Sequence, residues 1–176
     1  MLPKYEYTEK EQKEILDSLT VICDTREKSA DHITQYFEKK KIPYTIKKLH
    51  YGDYSFMIPQ NEKLGILKPV SFANQIVIER KSSLEELSGN LTKERERFEK
   101  ELSLCKAQMI LLIENANYSD VLTGNYNTEY NKKSFLGSLH SFQFKYSLPF
   151  FFMPDNKCSP IFIYATFQYW LRNYIR

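Results

Sequence analysis

Six apolar runs of strand length are set along this chain of 176 residues, and acidic residues stand at or inside four of them. LTVIC (19–23) runs into Asp24, DYSFMI opens on Asp53, QIVIERK (75–81) carries Glu79, and QMILLIE (108–114) ends on Glu114. PYTIKKL (43–49) and PFFFM (149–153) complete the set. Short runs rich in β-branched and aromatic residues read as strands. Between them lie helix signals. TEKEQKEILDS (8–18) reads as an N-terminal helix with a capping box, Thr8 reaching forward and Glu11 reaching back. A helix from Ser29 to about Lys41 carries Ile33, Tyr36 and Phe37 on one face. Another starts at Ser82 and is interrupted at Gly89, and a charge-rich one follows over Thr92–Lys106. A further helix is expected near 132–147, and a last one begins at Ser159-Pro160. PYTIKKL and DYSFMI read as a strand pair around the corner Tyr51-Gly52-Asp53. Residues 59–74 read as a hairpin tip or insertion, and 115–131 as a polar loop. Strands alternating with helices predict an α/β fold, a central mixed sheet with helices on both faces. Nothing in the chain reads as a linker or repeat, so residues 1–176 are expected to form one domain: the helix at about 8–18, a core over about 19–155 and the helix at about 159–176.

Composition narrows the class. With 42% hydrophobic residues, 27% charged, 5 Gly and 7 Pro, the chain is neither disordered nor collagen-like. Cys23, Cys105 and Cys158 are an odd count without C-x-x-C spacing, which argues against a disulfide framework or a zinc site and for a reducing compartment. No apolar run approaches the ~18 residues of a membrane span. The N-terminus is too charged for a signal peptide. The expectation is a soluble intracellular protein of cytoplasm or nucleus, with no membrane partner. A net charge of +3 is compatible with nucleic acid. His32, His50 and His140 lack ligand spacing, and Cys23 reads as a small core residue.

The acidic residues carry the chemistry. Side chains alternate along a strand, so Glu79 and Lys81 project from one face and Arg80 from the other. Charges in a half-buried strand are costly to desolvate and need partners. Asp24, Glu27 and Asp53 can lie beside them if the three strands are neighbours. Clustered carboxylates repel one another unless a divalent cation neutralises them, and oxygen donors suit magnesium or manganese. The plainer alternative is a Glu79–Lys81 ion pair with Asp24 and Asp53 capping turns. The ordered set D-x-R-E, G-D and E-R-K, all at strand ends, favours the site.

V-I-C-D-T-R-E (21–27), Y-G-D-Y-S-F (51–56), I-V-I-E-R-K (76–81) and M-I-L-L-I-E (109–114) resemble the nuclease domain of XPF-type structure-specific endonucleases. The signature of that family is G-D, a spacer, then E-R-K-x-x-x-D, and the resemblance runs from about residue 20 to residue 155. The resemblance implies a restriction-endonuclease-like fold, whose P-D…(D/E)-x-K core corresponds to Asp53…Glu79-Arg80-Lys81. It implies that Asp53, Glu79 and the Arg80 carbonyl hold the metal, that Asp24 completes or extends the site, and that Lys81 orients or activates the attacking water. Glu27 and Arg80 are family positions, Arg80 bracing the site from the opposite sheet face. The implied chemistry is metal-assisted phosphodiester hydrolysis of DNA. One position departs from the pattern: Glu85 stands where the family has Asp, and Ser82-x-x-Glu85 also reads as a capping box.

By the same resemblance the substrate is branched, flap or junction DNA in repair, recombination or replication. The alternatives are a restriction-like or DNA-degrading nuclease of a virus, phage or mobile element, and a non-catalytic DNA-binding partner subunit. Arg95 lies where shorter relatives carry G-R-x-R-F, here with Glu94 for the glycine, and is a candidate phosphate contact. Arg26, Lys47 and Lys48 are further DNA-binding candidates. No small-molecule cofactor is expected. Larger relatives end in a tandem helix-hairpin-helix module, for which the roughly twenty residues after PFFFM are too few. The last helix is apolar on nearly every face, so it needs more than one covering surface. A symmetric homodimer with Phe167 and Trp170 as anchors is expected there. The alternative is packing between the sheet and the N-terminal helix.

Overall fold

The computed structural model describes residues 2, 6–28 and 30–176. They form two compact units, one made of the residues up to Asn74 with Pro160–Arg176, the other of Gln75–Ser159. The described residues hold seven strands of mixed sense and seven α-helices, the α/β class expected. None of these helices is long and apolar enough to cross a membrane.

In the first unit the strand with the least polar sequence takes the middle. In β1 (Thr20–Cys23), Val21, Ile22 and Cys23 are all buried. It pairs in parallel with β2 (Tyr44–Ile46) on one side and antiparallel with β3 (Tyr54–Ile58) on the other. The runs expected to pair around Tyr51-Gly52-Asp53 are therefore separated by β1. A strand buried on both faces gains most from a central place, whereas β2, with Ile46 exposed, sits at the edge. Residues 47–53 cross the end of β1 instead of closing a hairpin, and Gly52 supplies the positive φ of 69° that the crossing uses. The hairpin expected over 59–74 is present: β4 (Val70–Ser71) pairs antiparallel with β3, and a 3-10 turn (Glu62–Leu64) lies at its tip.

Around these strands, α1 (Glu9–Asp17) has the Thr8/Glu11 capping box. Helix α2 (Asp31–Lys40) buries Ile33 and Phe37 and stops where Lys41 turns left-handed, two residues before Pro43. Its expected start at Ser29 lies outside the described residues.

Helix α7 (Ser159–Tyr174) uses its aromatic residues inside its own chain. Ile163, Phe167 and Leu171, four residues apart, form a fully buried stripe. Phe167 meets the Phe56 ring of β3 at 5.3 Å. Trp170 packs edge-on against Phe56 and Phe72 and stacks on Tyr174 at 5.2 Å. Burial and, less strongly, the Asp17 charge of α1 raise the pKa of Tyr164. Phe56 of β3 and Phe72 thus cover one side of the helix, while Ile161 and Tyr169 stay exposed. Phe167 is fully buried inside its own unit, and Trp170 is half-buried beside it.

The second unit is built on three parallel strands, with β6 (Gln108–Glu114) between β5 (Ile76–Lys81) and β7 (Phe150–Met153). Parallel neighbours need crossover connections. The first is α3 (Leu84–Leu91) with α4 (Arg95–Leu104); the second is α5 (Tyr118–Thr123) with α6 (Lys132–Lys145). Two differences from the sequence reading arise here. Gly89 lies inside α3, and the break comes at Thr92–Glu94. The stretch read as a loop over 115–131 contains α5, nucleated by an Asn117/Asp120 capping box. Every residue of β5 is buried, including Glu79, Arg80 and Lys81.

Candidate active site

The motif residues fall into two groups, one in each unit. In the first unit Asp24 emerges from the end of β1, and its carboxylate is fully engaged. One oxygen accepts from the Arg26 backbone N–H at 2.8 Å and from Arg26 Nε at 2.7 Å; the other accepts from Arg26 Nη2 at 3.3 Å and from the Leu49 N–H. Arg26 Nη2 also donates to the Leu49 carbonyl at 3.1 Å. The Asp24 N–H donates to the Asp53 carbonyl at 2.8 Å. Asp24 therefore fastens the crossing 47–53 over β1 at Leu49 and at the backbone of Asp53. Lys47 and Lys48 are exposed beside the buried Leu49, Asp53 and Glu27 are half-buried, and the Glu27 N–H donates to the Asp24 carbonyl. Burial pushes the Cys23 thiol up to about 12, helped by the Glu27 charge, which leaves it an inert core residue.

Burial alone would raise the Asp24 pKa, but the bonds from Arg26 and Leu49 outweigh it and hold the carboxyl below its ordinary value of 3.8. A depressed folded pKa means that the stabilisation is present above the unfolded value and is lost as pH falls through the folded one. Asp24→Asn should therefore lose about 1–3 kcal/mol at pH 7 by urea unfolding. The gap to the wild type should narrow as pH falls through the folded value and close once the Asp24 carboxyl is protonated in both states. A gap that does not change with pH would contradict this assignment.

In the second unit Lys81 Nζ lies 2.7 Å from Glu79 Oε1, both side chains nearly buried, and 5.3 Å from the centre of the Phe98 ring. The same ammonium is 3.8 Å from Glu86 Oε1. On the opposite face of β5, Arg80 Nη1 meets Glu114 Oε2 at 2.6 Å, with both side chains almost wholly buried. Glu114, the acid that ends β6, is thus the partner that braces Arg80.

Sequence reading paired Ser82 with Glu85, and the structure moves the cap by one residue. Ser83 is the N-cap and accepts from the Glu86 N–H, while Glu86 Oε2 accepts from Ser82 N at 2.8 Å and Ser82 Oγ at 2.7 Å. Glu85 instead accepts from the Asn127 N–H at 2.8 Å, a bond that lowers its pKa and ties α3 to the following loop. The one-residue shift arises because Leu84 and Leu87 are the buried positions, which fixes the phase of α3. Arg95 is held within its unit, by Glu99 at 3.1 Å, Ser138 Oγ at 3.3 Å and the face of Phe142 at 5.0 Å.

Among the described residues, no group of three or more His, Cys, Asp or Glu side chains is placed to hold a metal ion.

Comparison with known proteins agrees with this reading of the fold. XPF from Aeropyrum pernix aligns with a TM-score of 0.61 at 17% identity, covering 87% of this chain and 65% of that one. XPF from Aeropyrum pernix in complex with DNA aligns with a TM-score of 0.63 at 17% identity, covering 88% of this chain and 66% of that one. The α/β fold is thus one that this chain shares with those XPF structures. The chain spans about two thirds of the length of these solved structures. The ERCC4 domain family model matches residues 23–166, and the chain belongs to that family. No curated protein matches it significantly.

Proposed function

We propose that the protein is a metal-dependent DNA endonuclease, with Asp53, Glu79 and the Arg80 carbonyl as ligands of magnesium or manganese and Lys81 as the residue that orients the attacking water. The observation that carries this reading is the Glu79–Lys81 pair at 2.7 Å on one buried face of the E-R-K strand, in a chain of the ERCC4 domain family. Burying a carboxylate and an ammonium together contributes little to stability, so their presence there calls for another reason. The donors are hard oxygens, which suits either ion. A bound divalent cation supplies charge to polarise the scissile phosphate and lowers the pKa of its water. Lys81 contributes three N–H donors and a positive charge beside the reacting phosphate. Intact Asp53, Glu79 and Lys81 disfavour the non-catalytic reading.

In this proposal Asp24 shapes the site from beneath, through Arg26 and residues 47–53, because its acceptor positions are already taken. A ligand role for Asp24 requires those bonds to be given up. Glu27 stays in the proposed catalytic set as a family position. Arg26, Lys47 and Lys48 form the proposed DNA contacts of the first unit, and Arg95 that of the second once it releases Glu99. Pairing of two chains through α7 remains part of the proposal, on its exposed Ile161 and Tyr169, since Phe167 is buried within its own unit. Light scattering at micromolar concentration should then report twice the chain mass, and a single chain mass removes the dimer.

The proposed substrates are branched, flap or junction DNAs of repair, recombination or replication. The reading rests on resemblance and on the neighbour solved with DNA. The test is a panel of end-labelled linear, flap, fork and four-way DNAs with magnesium. Cleavage concentrated at branch points supports the proposal, and equal degradation of linear duplex favours a restriction-like or DNA-degrading nuclease.

A further inference from the structure

Glu86 has no place in the motif, yet it is the second carboxylate that the structure brings to Lys81. Its side chain is held in place. Oε2 takes two hydrogen bonds from Ser82, and its own N–H is capped by Ser83, which leaves Oε1 3.8 Å from Lys81 Nζ. Lys81 is only 7% exposed, and a buried ammonium without a carboxylate beside it is strongly penalised. Glu79 is the nearer partner at 2.7 Å. A carboxylate that turns its charge to a divalent cation can no longer neutralise an ammonium fully. The lysine must then find its counter-charge elsewhere.

We propose that Glu86 is a positioning residue: a fixed second carboxylate to which the Lys81 ammonium moves when Glu79 engages a divalent cation. The proposal rests on the reading of Glu79 as a metal ligand. It gives the cap at the start of α3 a second use, because the hydrogen bonds that begin the helix also hold the carboxylate that receives the lysine. Glu85, at the family's Asp position, is occupied with Asn127 and does not compete for this role.

The test is Mn2+ binding to the purified full chain, followed by calorimetry without DNA. The proteins compared are the wild type, Glu86→Gln, Lys81→Met, the double variant and Glu79→Gln. Glutamine keeps the cap acceptor and removes the charge. Glu86→Gln should weaken Mn2+ binding about three- to tenfold, because Lys81 then stays on Glu79. In the Lys81→Met background the same substitution should change affinity by less than about twofold. An unchanged affinity in Glu86→Gln overturns the proposal. An equal loss in both backgrounds also overturns it, because Glu86 would then act on the ion directly. If Glu79→Gln binds Mn2+ as the wild type does, the ligand reading itself fails, and the role of Glu86 falls with it.

Discussion

Glu79→Gln is expected to lower magnesium-dependent DNA cleavage by about two to four orders of magnitude, the range typical of a lost catalytic side chain. Glutamine is nearly isosteric and still accepts a hydrogen bond from Lys81, so the fold should survive with a change of about 1–3 kcal/mol at most. What is lost is the negative charge. In the proposed site that charge binds the metal and holds the Lys81 ammonium on the same face of β5. Lys81→Met should give a comparable loss of cleavage. Its cost in stability is larger, because Glu79, 8% exposed, is left without its nearest cation. Cleavage by this variant is therefore to be measured well below its own unfolding midpoint, found by thermal denaturation. Cleavage at wild-type rates by both variants would remove the E-R-K strand from the chemistry.

Phe167→Asp is expected to prevent folding of the first unit. Phe167 is fully buried, 5.3 Å from Phe56, which stacks on Phe72 at 4.6 Å. Removing the ring alone, as in Phe167→Ala, costs about 3–5 kcal/mol. Adding a carboxylate with no partner in that cluster costs several more. Total stabilities of about 5–15 kcal/mol leave little after such a loss. Size exclusion and far-UV circular dichroism should show aggregated or unfolded Phe167→Asp. Urea unfolding should show Phe167→Ala folded but much weaker. A folded Phe167→Asp monomer, from a wild type that is dimeric, is the result expected of an interface anchor and would contradict the core assignment.

The two outcomes for α7 show where the sequence was informative. The demand for two covering surfaces was legible in SPIFIYATFQYWLRNYIR, because helical periodicity is a local property. Which residues cover its buried stripe was not, since that depends on Phe56 and Phe72, about a hundred residues away. The same division holds for the strands. Each apolar run became a strand, yet the parallel pairing of β1 with β2 was missed, because the corner Tyr51-Gly52-Asp53 carries hairpin-like turn residues and nothing local reveals that β1 inserts between its flanks. Helix α5 had a legible signal, Asn117 followed three residues later by Asp120, but the polar residues around it outweighed six helical positions.

Within the site, Glu79, Arg80 and Lys81 were found because alternation along a strand sorts charged side chains by face. Glu86 was missed because Glu85 and Glu86 are adjacent and chemically equivalent, and only the phase set by Leu84 and Leu87 distinguishes them. Glu114 was visible as the acid at the end of QMILLIE. Its pairing with Arg80 depended on the parallel alignment of β5 with β6, in which Arg80 lies opposite Leu112. Asp24 is legible as a site residue, but the bond it accepts from the Leu49 N–H depends on a crossing whose turn residues equally suit a hairpin.

The most direct measurement of the central claim is one cleavage assay on end-labelled branched DNA, run with the purified wild type and Glu79→Gln in magnesium and in EDTA. The account predicts cleavage by the wild type in magnesium, none in EDTA, and almost none by Glu79→Gln in either. Cleavage that persists undiminished in EDTA, or in Glu79→Gln, would contradict it.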